Sequence, residues 1–424
     1  MKKKINLIRE SKFIKNILLA IMGTAGAQAI TMLFSPVITR LYGVESFGLL
    51  GTFTAILTVL IPISALSYPI AIVLSKEDNE AENIAKISVI ISILISISSA
   101  LFIIVFSDYI VRSLNIEYLR DYLIIIPIAL FFSALKQILE QWLIRNKLFR
   151  ITAQVAVYQS LFLNIVKTFF GWFSPSGFVL IIITSLGYFT YATLLFIVGG
   201  NNSKLIKKIS LNKSEFKSVT YKYKDFPLYR APQQFINALS QSLPTLMLAS
   251  FFGSKSVGFY ALSRMIMGIP SMLGKSVGDV FYPQVTGAIN QGKNVSKLLI
   301  QATSSLFFIG LIPFSIVILF GPWLFSFVFG ADWIIAGEYS QWLSLAMFFS
   351  FINRPAVSTL AALRLQKFFL VYEIVSAIVR FTAISLGFYL YKSDIFAVAA
   401  FSCSGVVLNI FLIFYTITKS KAKT

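Results

Sequence analysis

The sequence contains no histidine and a single cysteine, Cys403. Without histidine there is no imidazole metal site and no histidine-based triad or dyad. One cysteine excludes an internal disulfide and a cysteine-clustered metal centre. Cys403 lies in an apolar run, where a buried, inert thiol is expected. Charge is scarce as well: Asp, Glu, Lys and Arg make up 13% of the 424 residues, against about 25% in a soluble domain. That leaves too little polar surface to cover a water-facing globule. Acids are the scarcer sign, 17 against 37 basic residues, for a net charge of +20. There is no phosphate-binding glycine loop, no metal-ligand spacing and no nucleophile motif, so neither a cofactor nor an enzymatic centre is expected. The pair Gly48-Leu49-Leu50-Gly51 suits close helix packing only.

What is abundant is apolar sequence. Hydrophobic residues reach 57%, mean hydropathy is +0.80, and the apolar residues come in long runs. A run of about twenty matches a ~30 Å hydrocarbon layer at 1.5 Å per residue. The runs place twelve transmembrane helices near 14–37, 47–74, 84–106, 119–143, 151–173, 177–199, 229–252, 257–286, 298–320, 337–361, 369–391 and 395–417. The fold expected is therefore an all-α, polytopic membrane protein. Lys2, Lys3 and Lys4 followed by Ala25-Gly26-Ala27 imitate a signal peptide and its cleavage site. The apolar pattern continues through Ala29–Ile38, so an uncleaved first helix is the reading.

A charge of +20 could suggest nucleic acid, but the basic residues sit in short segments between the runs. With the N-terminus inside, twenty-five Lys and Arg fall in cytoplasmic segments, five in outer segments and seven within spans. This is a strong positive-inside bias, with both termini cytoplasmic. One span too many or too few would spoil it.

The two halves repeat. Gly43-Val44-Glu45-Ser46-Phe47-Gly48 recurs as Gly253-Ser254-Lys255-Ser256-Val257-Gly258, and Pro62 as Pro270. Ala129-Leu130-Phe131-Phe132-Ser133 recurs as Ala346-Met347-Phe348-Phe349-Ser350. Arg145, Lys147 and Phe149 match Arg364, Lys367 and Phe369; Ile165-Val166-Lys167 matches Ile378-Val379-Arg380. Six helices per half make the repeat parallel, as in some transporters whose substrate cavity lies between the halves. The organisation expected is a six-helix lobe over 1–199, a basic cytoplasmic linker over 200–228 and a second six-helix lobe over 229–424.

Seven cations fall inside spans: Lys136, Lys167, Arg230, Arg264, Lys275, Arg354 and Arg380, against Glu140, Asp279 and Glu373. A charge at the bilayer centre costs about 2.5–3.5 kcal/mol on insertion scales, so such residues usually face a wet cavity. Lys136 and Glu140, like Lys275 and Asp279, are spaced for local pairing. Arg230 is near a helix end and can snorkel. Arg264 and Arg380 are deepest, with no acid one turn away. Arg354 precedes Pro355, which loosens the helix there. Tyr260, Arg264 and Lys275 share one helix face, a cationic and aromatic track suited to an anionic, sugar-bearing solute. These residues (Arg264, Arg380, Lys275, Arg354, Lys136, Lys167, Arg230 and Tyr260) are the candidate substrate-binding set. The plainer alternative is a pair of snorkelling cations, one toward each surface. Prolines 36, 62, 69, 127, 244, 270 and 313 lie in or near spans as kinks, static or hinging. Trp142, Trp172, Trp323 and Trp333 lie at span ends, where interfacial anchoring is the default.

At this point the residues resemble a known group. Gly26-Ala27-Gln28, Pro36-Val37-Ile38-Thr39-Arg40-Leu41-Tyr42-Gly43-Val44-Glu45-Ser46-Phe47-Gly48 and Asp225-Phe226-Pro227-Leu228-Tyr229-Arg230-Ala231-Pro232 look like bacterial O-antigen and capsule flippases of the Wzx type. So do Leu243-Pro244, Gly258-Phe259-Tyr260-Ala261-Leu262-Ser263-Arg264, Gly330-Ala331-Asp332-Trp333 and Ala362-Leu363-Arg364-Leu365-Gln366-Lys367. The resemblance covers nearly the whole chain and places it in the superfamily of MATE-type multidrug exporters and lipid II flippases. It implies two six-helix lobes around a central cavity in the bacterial cytoplasmic (inner) membrane. It also implies movement of an undecaprenyl-diphosphate-linked oligosaccharide to the outer leaflet, with a polysaccharide polymerase and a chain-length regulator as partners. It supplies no fixed set of functional residues. A MATE-type exporter of cationic drugs would want acids in the cavity, and the first helix has none. A lipid II flippase typically has two more helices. A polysaccharide polymerase or ligase, the enzymatic alternative, usually carries a large outer loop, which this chain lacks.

Overall fold

The computed structural model describes residues 2–75, 77–200, 213–292, 294–363 and 365–421. Side chains are described from Met22 onward, except at 200, 213–217, 269–276, 279, 280 and 290. The described residues form helices and short connections, with no strand among them.

The chain opens with α1 (Lys2–Leu60), passes through 3₁₀ turns at Ile61–Ile63 and Tyr68–Ile70, and continues as α2 (Ala71–Leu74) and α3 (Asp78–Ser113). A 3₁₀ segment, Glu117–Ile125, leads into α4 (Ile126–Arg145), then α5 (Phe149–Phe173), α6 (Gly177–Gly200) and α7 (Lys213–Lys222). A π-helical turn at Phe226–Arg230 precedes α8 (Ala231–Phe252). Next come α9 (Ser254–Asn290), α10 (Val295–Phe329), a 3₁₀ turn Ala331–Trp333, α11 (Ile334–Ile352), α12 (Arg354–Ala362), α13 (Gln366–Tyr391) and α14 (Asp394–Lys421).

The twelve expected spans fall on helical segments, two of them interrupted, 47–74 by a turn at 64–67 and 337–361 at Asn353. Nine runs among the described residues are long and apolar enough to cross a membrane, and the first, Met22–Ile63, covers parts of two expected spans. Gly43 separates those two, at φ 70, ψ 175. The helices bearing Lys167 and Arg264, α5 and α9, are outside the nine but have spanning lengths of 25 and 37 residues. The protein is a multi-pass membrane protein, and its outward apolar side chains fit that. Ile104, Val105, Phe308, Ile312 and Phe414 are among the large hydrophobics left exposed on long helices, where lipid rather than water is their solvent.

Expectation and structure part at four places. The second span, 47–74, is not one helix: Pro62 and Pro69 each open a 3₁₀ turn, because proline removes a ladder donor and clashes with the preceding turn. Lys86, counted among the basic residues between spans, lies two turns inside α3 and is 9% exposed. Trp142 and Trp333 are buried rather than anchored at an interface, while Trp172 and Trp323 do project outward. Cys403 is exposed on α14; an apolar neighbourhood in sequence does not fix which helix face meets lipid.

The chain divides into two compact units, Met1–Ser242 and Leu243–Thr424. In the first, Gly23 brings α1 so close to α5 that a Cβ there would stand 2.5 Å from the Ala153 Cα. Along the same contact the Ser160 hydroxyl donates to the Ala27 carbonyl (2.7 Å) and the Tyr42 hydroxyl to the Lys167 carbonyl (2.8 Å). Gln159 ties α5 to α6 through the Gly187 carbonyl (2.8 Å) and Thr190 Oγ1 (2.7 Å). A core of Tyr68, Ile72, Ala81, Ile84, Ile138 and Trp142 joins α2, α3 and α4. The expected linker covers 200–228. Its described part includes α7, which buries Val219 in that core and sends the Lys222 ammonium to the Glu80 carboxylate.

In the second unit, Ser263 on α9 donates to the Ala336 carbonyl on α11 (2.7 Å). Asn353, in the break between α11 and α12, donates to Asn409 Oδ1 on α14 (2.8 Å). The break follows from Pro355 in the first turn of α12. The sequence repeat has a backbone counterpart: Gly253 sits at φ 81, ψ −170, close to Gly43. That region is open essentially to glycine alone. Both halves thus turn from their first helix to their second on the same residue in the same conformation.

Candidate functional site

The second unit brings together the deepest expected cations. α9 leaves Gly253 and places Tyr260 and Arg264 one turn apart on one face. Tyr260 is 3% exposed. The Arg264 guanidinium reaches its hydroxyl, and Arg380 arrives from α13 close enough to act on the same phenol. Arg380 also lies near Tyr372, one face down α13, which in turn feels Glu373. The sequence gives Arg264 no acid one turn away; the structure gives it a phenol. One guanidinium at the phenol and a second in its vicinity put two planar forks of donors in one region, an arrangement suited to an oxyanion.

The first unit holds a different arrangement. Lys136 Nζ stands 3.7 Å from Glu140 Oε1, the local pair its spacing predicts. The ammonium also lies over the Tyr191 ring of α6, 4.5 Å from its centroid. The Tyr191 hydroxyl is directed at the same Glu140 carboxylate. Sequence reading missed Tyr191, because a tyrosine in an apolar helix carries no mark of the charge it faces across the fold. Lys167, the repeat counterpart of Arg380, is half-buried on α5 and gives its carbonyl to Tyr42.

The remaining candidates are Arg354, Arg230 and Lys275. Arg354 opens α12 beside Asn353 and is half-buried. Arg230 lies exposed in the π-helical turn and donates to Gln233 Oε1 (3.0 Å), as a residue near a helix end can. Lys275 is on α9, but its side chain and that of Asp279 lie outside the described residues, as does Arg364. The Arg264–Lys275 part of the expected track therefore rests on helix spacing alone.

A further charged cluster is structural. Arg145, at the end of α4, sends Nη1 to the Ile72 carbonyl (3.2 Å), the Ser75 carbonyl and Ser75 Oγ (2.8 Å), and Nη2 to Asp78 Oδ1 (3.0 Å). It closes the carbonyl end of α2, where the helix ladder leaves acceptors unused, and ties it to the start of α3.

Comparison with known proteins gives the fold a context. Among curated proteins no relative matches. Of solved structures, a multidrug resistance MATE family transporter of the MOP superfamily, inward-facing, is similar at TM-score 0.74 and 14% identity, over 95% of this chain and 98% of that one. The lipid II flippase MurJ, inward closed, is similar at 0.70 and 17%, over 95% and 90%. A MOP superfamily transporter from Pyrococcus furiosus, described by the reverse polarity of its binding pocket, is similar at 0.59 and 14%, over 96% of each chain. At these identities the likeness is one of fold. The family model for polysaccharide biosynthesis protein matches residues 37–338, well over half of the sequence, and the chain belongs to that family.

Proposed function

We propose that the protein is a flippase. It moves undecaprenyl-diphosphate-linked oligosaccharide repeat units across the bacterial cytoplasmic membrane, by alternating access, for O-antigen or capsular polysaccharide synthesis. The observation that carries this is the placing of Arg264 at Tyr260, with Arg380 in its electrostatic reach, in the second unit. A diphosphate carries the charge such a pair takes, and a lipid-linked one must cross a layer in which an unneutralised charge is costly. Membership in a polysaccharide biosynthesis family supports a glycan cargo. The transporter fold supports movement rather than bond chemistry.

In this reading Arg264 and Arg380 receive the diphosphate. Lys136, Lys167, Lys275, Arg354 and Arg230 are further contacts on the route, and the polyprenyl tail stays in lipid. A polymerase and a chain-length regulator would act on the delivered units. A MATE-type exporter of cationic compounds is the rival. Two guanidiniums acting on one phenol disfavour it, since a cationic solute would be repelled there. A membrane polymerase or ligase, the enzymatic rival, would show glycosyl transfer by the purified protein.

The test is surface glycan display in a host lacking its own copy. The Arg264→Ala/Arg380→Ala protein should lower display about tenfold or more, given ~1.5–3 kcal/mol for each charged hydrogen bond lost. Lipid-linked units should accumulate inside while the variant remains folded in the membrane. Undiminished display by that variant overturns the reading.

A further inference from the structure

Resting on the flippase reading, we propose that Glu140 is a resident competitor for the anionic group that Lys136 takes. The Lys136–Glu140–Tyr191 cluster is then a gated oxyanion subsite in the first unit. α4 has 20 residues and Lys136 is the eleventh, about 15 Å from either end at 1.5 Å per residue. That depth is beyond easy snorkelling. Yet the Lys136 and Glu140 side chains remain 30% and 28% exposed. Two charges partly open at mid-helix are costly against hydrocarbon, so their open faces meet water or ligand.

The pair is also loose. Its 3.7 Å separation exceeds the ~2.7–2.9 Å of a tight charge-assisted bond. The Tyr191 ring, 4.5 Å from the ammonium, holds Lys136 in place without satisfying its donors. With the Tyr191 hydroxyl on Glu140, the three groups are closed on one another and neutral in sum. The ammonium becomes available when something displaces the carboxylate. A phosphate oxygen or the carboxylate of an acidic sugar has the charge to do so; a neutral sugar does not. Glu140 therefore sets a charge threshold, a role that the two guanidiniums of the second unit do not share.

The experiment measures binding to the full-length protein in nanodiscs of neutral phospholipid. The probes are undecaprenyl diphosphate and a lipid-linked glycan bearing glucuronate. Glu140→Gln should tighten binding about twofold to fivefold, the range of a partly exposed ion pair, and Lys136→Gln should weaken it. The double variant should match Lys136→Gln alone. A gain seen with undecaprenyl diphosphate names phosphate as the oxyanion; a gain confined to the glucuronate probe names the acidic sugar. Additive effects, a loss in Glu140→Gln, or no change in either variant would overturn the competitor while leaving the flippase reading intact. Failure of the wild-type protein to bind either probe removes the flippase reading itself. Thermal unfolding of each variant separates a binding effect from a folding one.

Discussion

Gly321 on α10 and Gly337 on α11 meet backbone to backbone. A Cβ on Gly337 would stand 2.5 Å from the Gly321 carbonyl oxygen and 2.5 Å from Pro322 Cα, and one on Gly321 2.7 Å from the Gly337 oxygen. Neither obstacle is a side chain that can swing aside. Gly337→Ala should therefore force the two helices apart, lowering stability by about 1–3 kcal/mol, read as a drop in unfolding temperature in detergent. Gly287→Ala is the control: open space surrounds that position on α9, so the change should be neutral or mildly stabilising by up to ~1 kcal/mol.

The matched glycines test the repeat. A Cβ at Gly43 or Gly253 has nothing within 4 Å, but both sit at positive φ. The cost of Gly43→Ala or Gly253→Ala is then backbone strain alone, about 1–3 kcal/mol each. The two variants should lose similar stability in unfolding measurements, and the more so if the turns are equivalent. A large difference between them would count against equivalent turns.

Arg145 gathers the end of α2 and the start of α3 with one guanidinium. Its side chain is 12% exposed, while that of Asp78 is 92% exposed, so the bonds to the Ile72 and Ser75 carbonyls carry more weight than the ion pair. Arg145→Ala should cost about 1–3 kcal/mol through acceptors left unsatisfied. Asp78→Asn should cost little. Arg145→Lys should recover only part of the loss, since an ammonium lacks the planar fork. Limited proteolysis near residues 72–78 would rank the three.

The docking of α7 rests partly on Lys222 and Glu80. The carboxylate holds the Lys222 ammonium above its ordinary value. A lysine raised in this way contributes its stability in full below the unfolded value, about 10.4, and loses it as pH rises through the folded value. The protection that this pair gives α7 against hydrogen exchange should therefore stay constant across neutral pH and be lost in strong base. Glu80→Gln should lower it at neutral pH, and high salt should do the same, because the Lys222 side chain is exposed and screened.

Much of this architecture is legible in local sequence. Apolar runs placed the expected spans on helical segments, though not the interruption inside 47–74, because hydropathy over twenty residues needs no knowledge of partners. Pro355 marked the break before Arg354 for the same reason. Facing is less legible. Trp142 and Trp333 sit at span ends in sequence yet are buried, and Cys403 in an apolar run is exposed. In a membrane helix both faces are apolar, so periodicity gives weak guidance to which one meets lipid.

The sequence by itself determined that this chain crosses a membrane many times in two related halves, and that it carries more cations than acids at depth. Those properties follow from composition and spacing along the chain. Only the tertiary structure decided which charges meet. Arg264 and Arg380 are more than a hundred positions apart, and both act on Tyr260 because α9 and α13 belong to the same unit. Tyr191 comes to Lys136 and Glu140 because α4 and α6 are neighbours. Electrostatic energy depends on distance through space, and it is the packing of helices that sets those distances.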